Sequence, residues 1–133
     1  MKHILLFEGF TEKEDFSFLE NVKDLLLEYA DKYDLVETGT GIQISDRDDF
    51  WNNFHSRNGS LQCSIVEPFS KYESSWIEVI ISIKDEKSAK QFFESGDDKK
   101  IFMRLEKFGY RPEIVRNTSN INYSLYYQFY IYR

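Results

Sequence analysis

Long apolar runs are absent from this 133-residue chain, and with them the ~18 consecutive apolar residues that a bilayer-spanning helix needs. Cysteine is nearly absent too. Cys63 alone cannot close an internal disulfide, and with two histidines, His3 and His55, no zinc site of the usual ligand pattern can be assembled. Alanine occurs only at Ala30 and Ala89. Basic residues are scarce in the first 50 positions, where 5 stand against 13 acidic ones, a net of −8. Phosphate neutralisation needs clustered Lys and Arg, so this front half is ill suited to nonspecific nucleic-acid binding. It suits either a basic protein surface, where complementary charge speeds encounter, or the plainer task of keeping a helix face soluble.

What is abundant is aromatic. Twelve Phe, nine Tyr and two Trp make 17% of the chain, and such rings bury much area on half-buried strands. Length and composition (41% hydrophobic, 30% charged) fit one folded domain over residues 1–133. The short apolar opening, with no small-residue cleavage site behind it, does not read as a secretory signal.

Phe16, Leu19, Val22, Leu26, Tyr29, Ala30 and Tyr33 recur at three- and four-residue steps and predict a helix over about 12–33, with Thr11 and Glu14 as its capping box. Its opposite face carries Glu20, Asp24, Glu28 and Asp31. Leu35–Ile44 reads as a strand interrupted by Gly39 and Gly41. A short helix is expected to follow to about Arg57, burying Phe50, Trp51 and Phe54. Leu61, Cys63 and Ile65 alternate with polar residues, and Ile77, Val79, Ile81 and Ile83 share one face of a strand whose other face bears Trp76 and Ile80. That second strand reads as central and covered on both sides. A helical stretch from Asp85 to Phe108 breaks near Ser95-Gly96-Asp97, and two strands, near 113–117 and 123–132, close the chain. The expected fold class is α+β: a mixed or antiparallel sheet of about five strands, with the long first helix and a broken second one packed on it.

No catalytic constellation assembles. Asp46, Asp48 and Asp49, and the pair Asp97-Asp98, invite comparison with a metal-dependent nuclease. Both clusters fall where a helix begins, however, and the helix dipole favours acids there. Cys63 on an apolar strand face reads as a buried structural thiol. Gly39-Thr40-Gly41 completes no phosphate-loop pattern. No metal and no cofactor are expected.

The last third differs. Lys99, Lys100, Arg104, Lys107, Arg111 and Arg116 precede a strand on which Ser124, Tyr126, Gln128, Tyr130 and Tyr132 share the more polar face. Rings interleaved with cations can stack bases and neutralise phosphates. Arg104, Arg111, Tyr126, Tyr130 and Tyr132 are therefore candidate ligand-binding residues for a nucleotide or a single strand.

The opening Met1-Lys2-His3-Ile4-Leu5-Leu6-Phe7-Glu8-Gly9-Phe10 resembles the leader MK-x-L-x-L-F-E-x-F of small accessory proteins of large tailed phages. Leu6-Phe7-Glu8 is similar to the site at which such leaders are trimmed. Read from its residues alone, the segment packs Ile4, Leu6 and Phe10 as a strand or as a staple on the first helix. The resemblance implies a non-catalytic protein that binds a host or viral protein, in host takeover or anti-defence, in the cytoplasm of the host cell or packaged in the virion. The expected partner is a protein with a basic surface, met by Glu20, Asp24, Glu28 and Asp31. The alternative is the nucleotide or single-strand binder of the last third.

Overall fold

A computed structural model describes the backbone of residues 2–39, 57–70, 73–119 and 124–133, and their side chains from residue 15 onward. Helix α1 (Lys2–Tyr33) leads into β1 (Leu35–Gly39). Then come β2 (Gly59–Val66), β3 (Trp76–Ile83), α2 (Glu86–Glu94), α3 (Asp97–Lys107), β4 (Arg111–Thr118) and β5 (Leu125–Tyr132). The strands form one mixed sheet in the order β1-β2-β3-β5-β4, with β1 parallel to β2 and the other neighbours antiparallel. The α+β class, the five strands and the long first helix on the sheet agree with the sequence. The expected short helix before Arg57 lies outside the described residues, as do Asp46, Asp48, Asp49 and His55.

Register explains the two faces of the sheet. Leu61, Cys63 and Ile65 stand opposite Ile81, Val79 and Ile77, which in turn face Tyr127, Phe129 and Ile131. Strand side chains alternate with a period of two, so these rows form one apolar surface. It belongs to a single core with Phe18, Val22, Leu26 and Tyr29 of α1, Phe92 of α2, and Ile101 and Leu105 of α3. Phe92 meets Tyr127 at 5.7 Å and Phe102 meets Phe129 at 5.2 Å, both tilted toward the edge-to-face geometry that rings favour.

Three sequence expectations change. Helix α1 runs back to Lys2, so Thr11 lies inside it rather than at its cap, and the opening residues are helical rather than a strand. Phe16 is 62% exposed, and Phe18 takes its place in the core. A turn holds 3.6 residues, so stepping back by threes from Val22 through Leu19 to Phe16 walks off the buried face by roughly 60° per step. Strand β3 is central, but on its second side Trp76, Glu78 and Ile80 are only half-buried.

Asp85 caps α2 by accepting from the Ser88 N–H at 2.9 Å. The expected break comes at Gly96, whose φ of 78° lies in the left-handed region that glycine adopts at little cost. Immediately after it Asp97 is 1% exposed. It accepts from Lys32 Nζ at 2.7 Å and from the Tyr33 hydroxyl, with Lys100 at 3.7 Å. This buried carboxylate ties the start of α3 to the end of α1.

Candidate functional site

The residues picked from the sequence fall in three places. Glu20, Asp24, Glu28 and Asp31 lie along the outward side of α1. Arg104 lies on α3 and reaches back to α1. It donates to the Leu25 carbonyl at 3.1 Å, pairs with Glu28 and sits 5.3 Å from the centre of the Tyr29 ring. Tyr126, Tyr130, Tyr132 and Arg111 lie on the sheet face opposite the helices. Arg104 and the tyrosines are therefore separated by the sheet and share no site.

On α1, Phe16, Glu20, Asp24, Leu27 and Asp31 follow at steps of four, four, three and four, which is one continuous stripe of a helix. Phe16 is 62% and Leu27 45% exposed. Glu20, Asp24 and Asp31 have no ion-pair partner among the described residues. Phe16 and Leu27 were missed as surface residues, because spacing alone admits Phe16 to the core. Their interleaving with acids at three- and four-residue steps is the available signal.

On the open sheet face Trp76, Tyr130 and Tyr132 form a ring cluster, with Trp76 6.0 Å from Tyr130 and 6.1 Å from Tyr132. Register places Arg111 opposite Tyr132 and Glu113 opposite Tyr130, and the Arg111 guanidinium lies 5.7 Å from the Tyr132 ring centre. Burial and the Glu113 carboxylate push the Tyr132 hydroxyl up, against the pull of the Arg111 charge. Gln128 donates to Glu78 at 2.8 Å in the same layer. Tyr126 stands further along the strand, opposite Ser82 and Thr118.

Beside the ring cluster a cleft of about 490 Å³ is lined by Glu73, Ser74, Ser75, Trp76, Arg111, Tyr132 and Arg133. Two of these residues, Ser75 and Arg133, belong to a polar knot with Asp15. Arg133 donates to Asp15 at 2.9 Å and to the Ser75 hydroxyl at 2.6 Å, and Ser75 donates to Asp15 at 2.6 Å. Trp76, Ser75 and Arg133 carry no sequence signal as site residues, since only strand pairing brings residues 76, 111 and 132 together.

Among the described residues no group of three or more His, Cys, Asp or Glu side chains is placed to hold a metal ion, and no helix is long and apolar enough to cross a membrane. Cys63 is buried in β2, and burial pushes its thiol up to about 12. At neutral pH it is a thiol rather than a thiolate nucleophile. No protein-family model matches the chain, and no curated protein matches it in sequence.

Proposed function

We propose that the chain is a non-catalytic, phage-type accessory protein whose α1 stripe docks on a basic host or viral protein, in host takeover or anti-defence. The observation that supports this reading most is the stripe itself: three acids without ion-pair partners among the described residues, interleaved with Phe16 and Leu27, both well exposed. An acidic helix face that serves only solubility gains nothing from a large exposed phenyl ring. A docking face uses both, with the rings anchoring the contact and the acids steering the approach. The phage-type origin rests on the leader resemblance of residues 1–10. The docking reading rests on α1.

Glu28 is the one acid to leave out of a test, because it is paired to Arg104 and its reversal would disturb the α1–α3 contact. The experiment is affinity capture from bacterial lysate with the wild-type chain and with Glu20→Lys/Asp24→Lys/Asp31→Lys. A basic protein retained by the first and lost by the second, with thermal stability unchanged, supports the reading. Equal capture by both removes the acidic stripe from the function.

A further inference from the structure

From the cleft beside the ring cluster we infer a second site, independent of the α1 stripe, that takes a nucleoside monophosphate, either free or as the 5′-phosphorylated end of a single strand. Three features of the cleft converge on that chemistry. Its volume of about 490 Å³ lies within the range of small-molecule sites and exceeds what a bare inorganic anion fills. Two guanidinium groups, Arg111 and Arg133, line it. Arg133 is committed to Asp15 and Ser75, but Arg111 has no carboxylate partner among the described residues and is held over the Tyr132 ring. A planar cation positioned in this way leaves its edge N–H groups free for a phosphate. Trp76 and Tyr132 give the wall an aromatic surface on which a base can stack.

The charges select the ligand further. Glu73 on the rim repels a highly charged polyanion but can accept from a ribose hydroxyl or an exocyclic amine. With Asp15 offsetting Arg133, Arg111 is, among the described residues lining the cleft, the cation without a carboxylate partner and is placed to meet one phosphate. A monophosphate fits that balance better than a triphosphate or a long strand. Phosphate on Arg111, ring on the aromatic wall and sugar toward Glu73 is the arrangement the lining residues allow.

The test follows the Trp76 indole N–H by NMR in the full chain, its resonance assigned with Trp76→Phe. Adenosine 5′-monophosphate is titrated beside adenosine, inorganic phosphate and a 5′-phosphorylated tetradeoxyadenylate. The expected result is a saturable shift with the nucleotide, weaker by at least tenfold for adenosine and for phosphate. Arg111→Gln, an exposed position that leaves the core untouched, should lower affinity about tenfold or more. Tyr132→Ala should lower it about 5- to 150-fold, with unfolding temperatures recorded for both variants. Tighter binding of the oligonucleotide assigns the site to strand ends, and equal binding assigns it to free nucleotide. No shift with either at millimolar concentration overturns the inference, as does a shift undiminished in Arg111→Gln or equalled by inorganic phosphate alone.

Discussion

Arg104 and Glu28 form an ion pair across the α1–α3 interface. By sequence each reads as part of a different binding surface. In the fold they satisfy one another, and Arg104 also holds the Leu25 carbonyl and the Tyr29 ring. Arg104→Ala should therefore cost about 1–2 kcal/mol of stability through the lost hydrogen bond, ring contact and ion pair. Glu28→Gln should cost less than about 1 kcal/mol, because the pair is partly solvent-exposed. Urea unfolding measures both. Arg104→Ala at wild-type stability would show the interface contact to be idle.

Asp97 links stability to pH. Burial alone would raise its carboxyl, but hydrogen bonds from Lys32 and Tyr33, together with the Lys32 charge, outweigh that and hold it below the ordinary value. A carboxyl depressed in the folded state contributes stability that is complete above the unfolded value of about 4 and is lost as pH falls through the folded one. Asp97→Asn should cost about 1–3 kcal/mol at neutral pH. The gap from wild type should narrow in denaturant titrations below about pH 4. A gap that stays constant into acid would contradict the assignment.

Gly59 opens β2 where the backbone crowds β3. A Cβ there would lie 1.8 Å from the Ser82 carbonyl oxygen, and φ is 156°. Backbone cannot swing aside as a side chain can, so Gly59→Ala should destabilise by about 3 kcal/mol or more. Loss of under about 1 kcal/mol would mean that β2 and β3 can separate at that end without cost.

Cys63 should be chemically silent in the native state. With its thiol pushed up to about 12 and its side chain 1% exposed, labelling by an aromatic disulfide at pH 8 should proceed only as the sheet opens and should accelerate with urea. Stoichiometric labelling within minutes in the absence of urea would place the thiol at the surface.

Much of the fold could be read from local pattern. Alternation along residues 125–132 demands that one face be core, and Leu125, Tyr127, Phe129 and Ile131 are buried as that demand requires. Gly96 ends one helix and starts another, as glycine near a polar break does. Spacing puts Phe16 in the core and the structure puts it at the surface, because a residue about 120° from Val22 satisfies a three-residue spacing rule while facing water. The start of α1 was misjudged because Thr11 and Glu14 fit a capping box equally well inside a longer helix. The cleft was legible only in part. Arg111 and Tyr132 lie in segments rich in cations and rings, but Trp76 and Arg133 join them through strand pairing, which leaves no local trace. Arg104 looked like a companion of the tyrosines because the sequence does not say on which side of the sheet a helix will lie.

The docking of α1 on a basic partner is tested most directly by the association rate of the captured partner. It is measured for the wild-type chain and for Glu20→Lys/Asp24→Lys/Asp31→Lys at about 0.05 M and about 0.5 M salt, where screening shortens from moderate to a few ångströms. Complementary charge acts chiefly on encounter, so the variant should associate at least about tenfold more slowly at low salt, and the two rates should converge at high salt. Equal rates at low salt, with both proteins folded, would contradict the account.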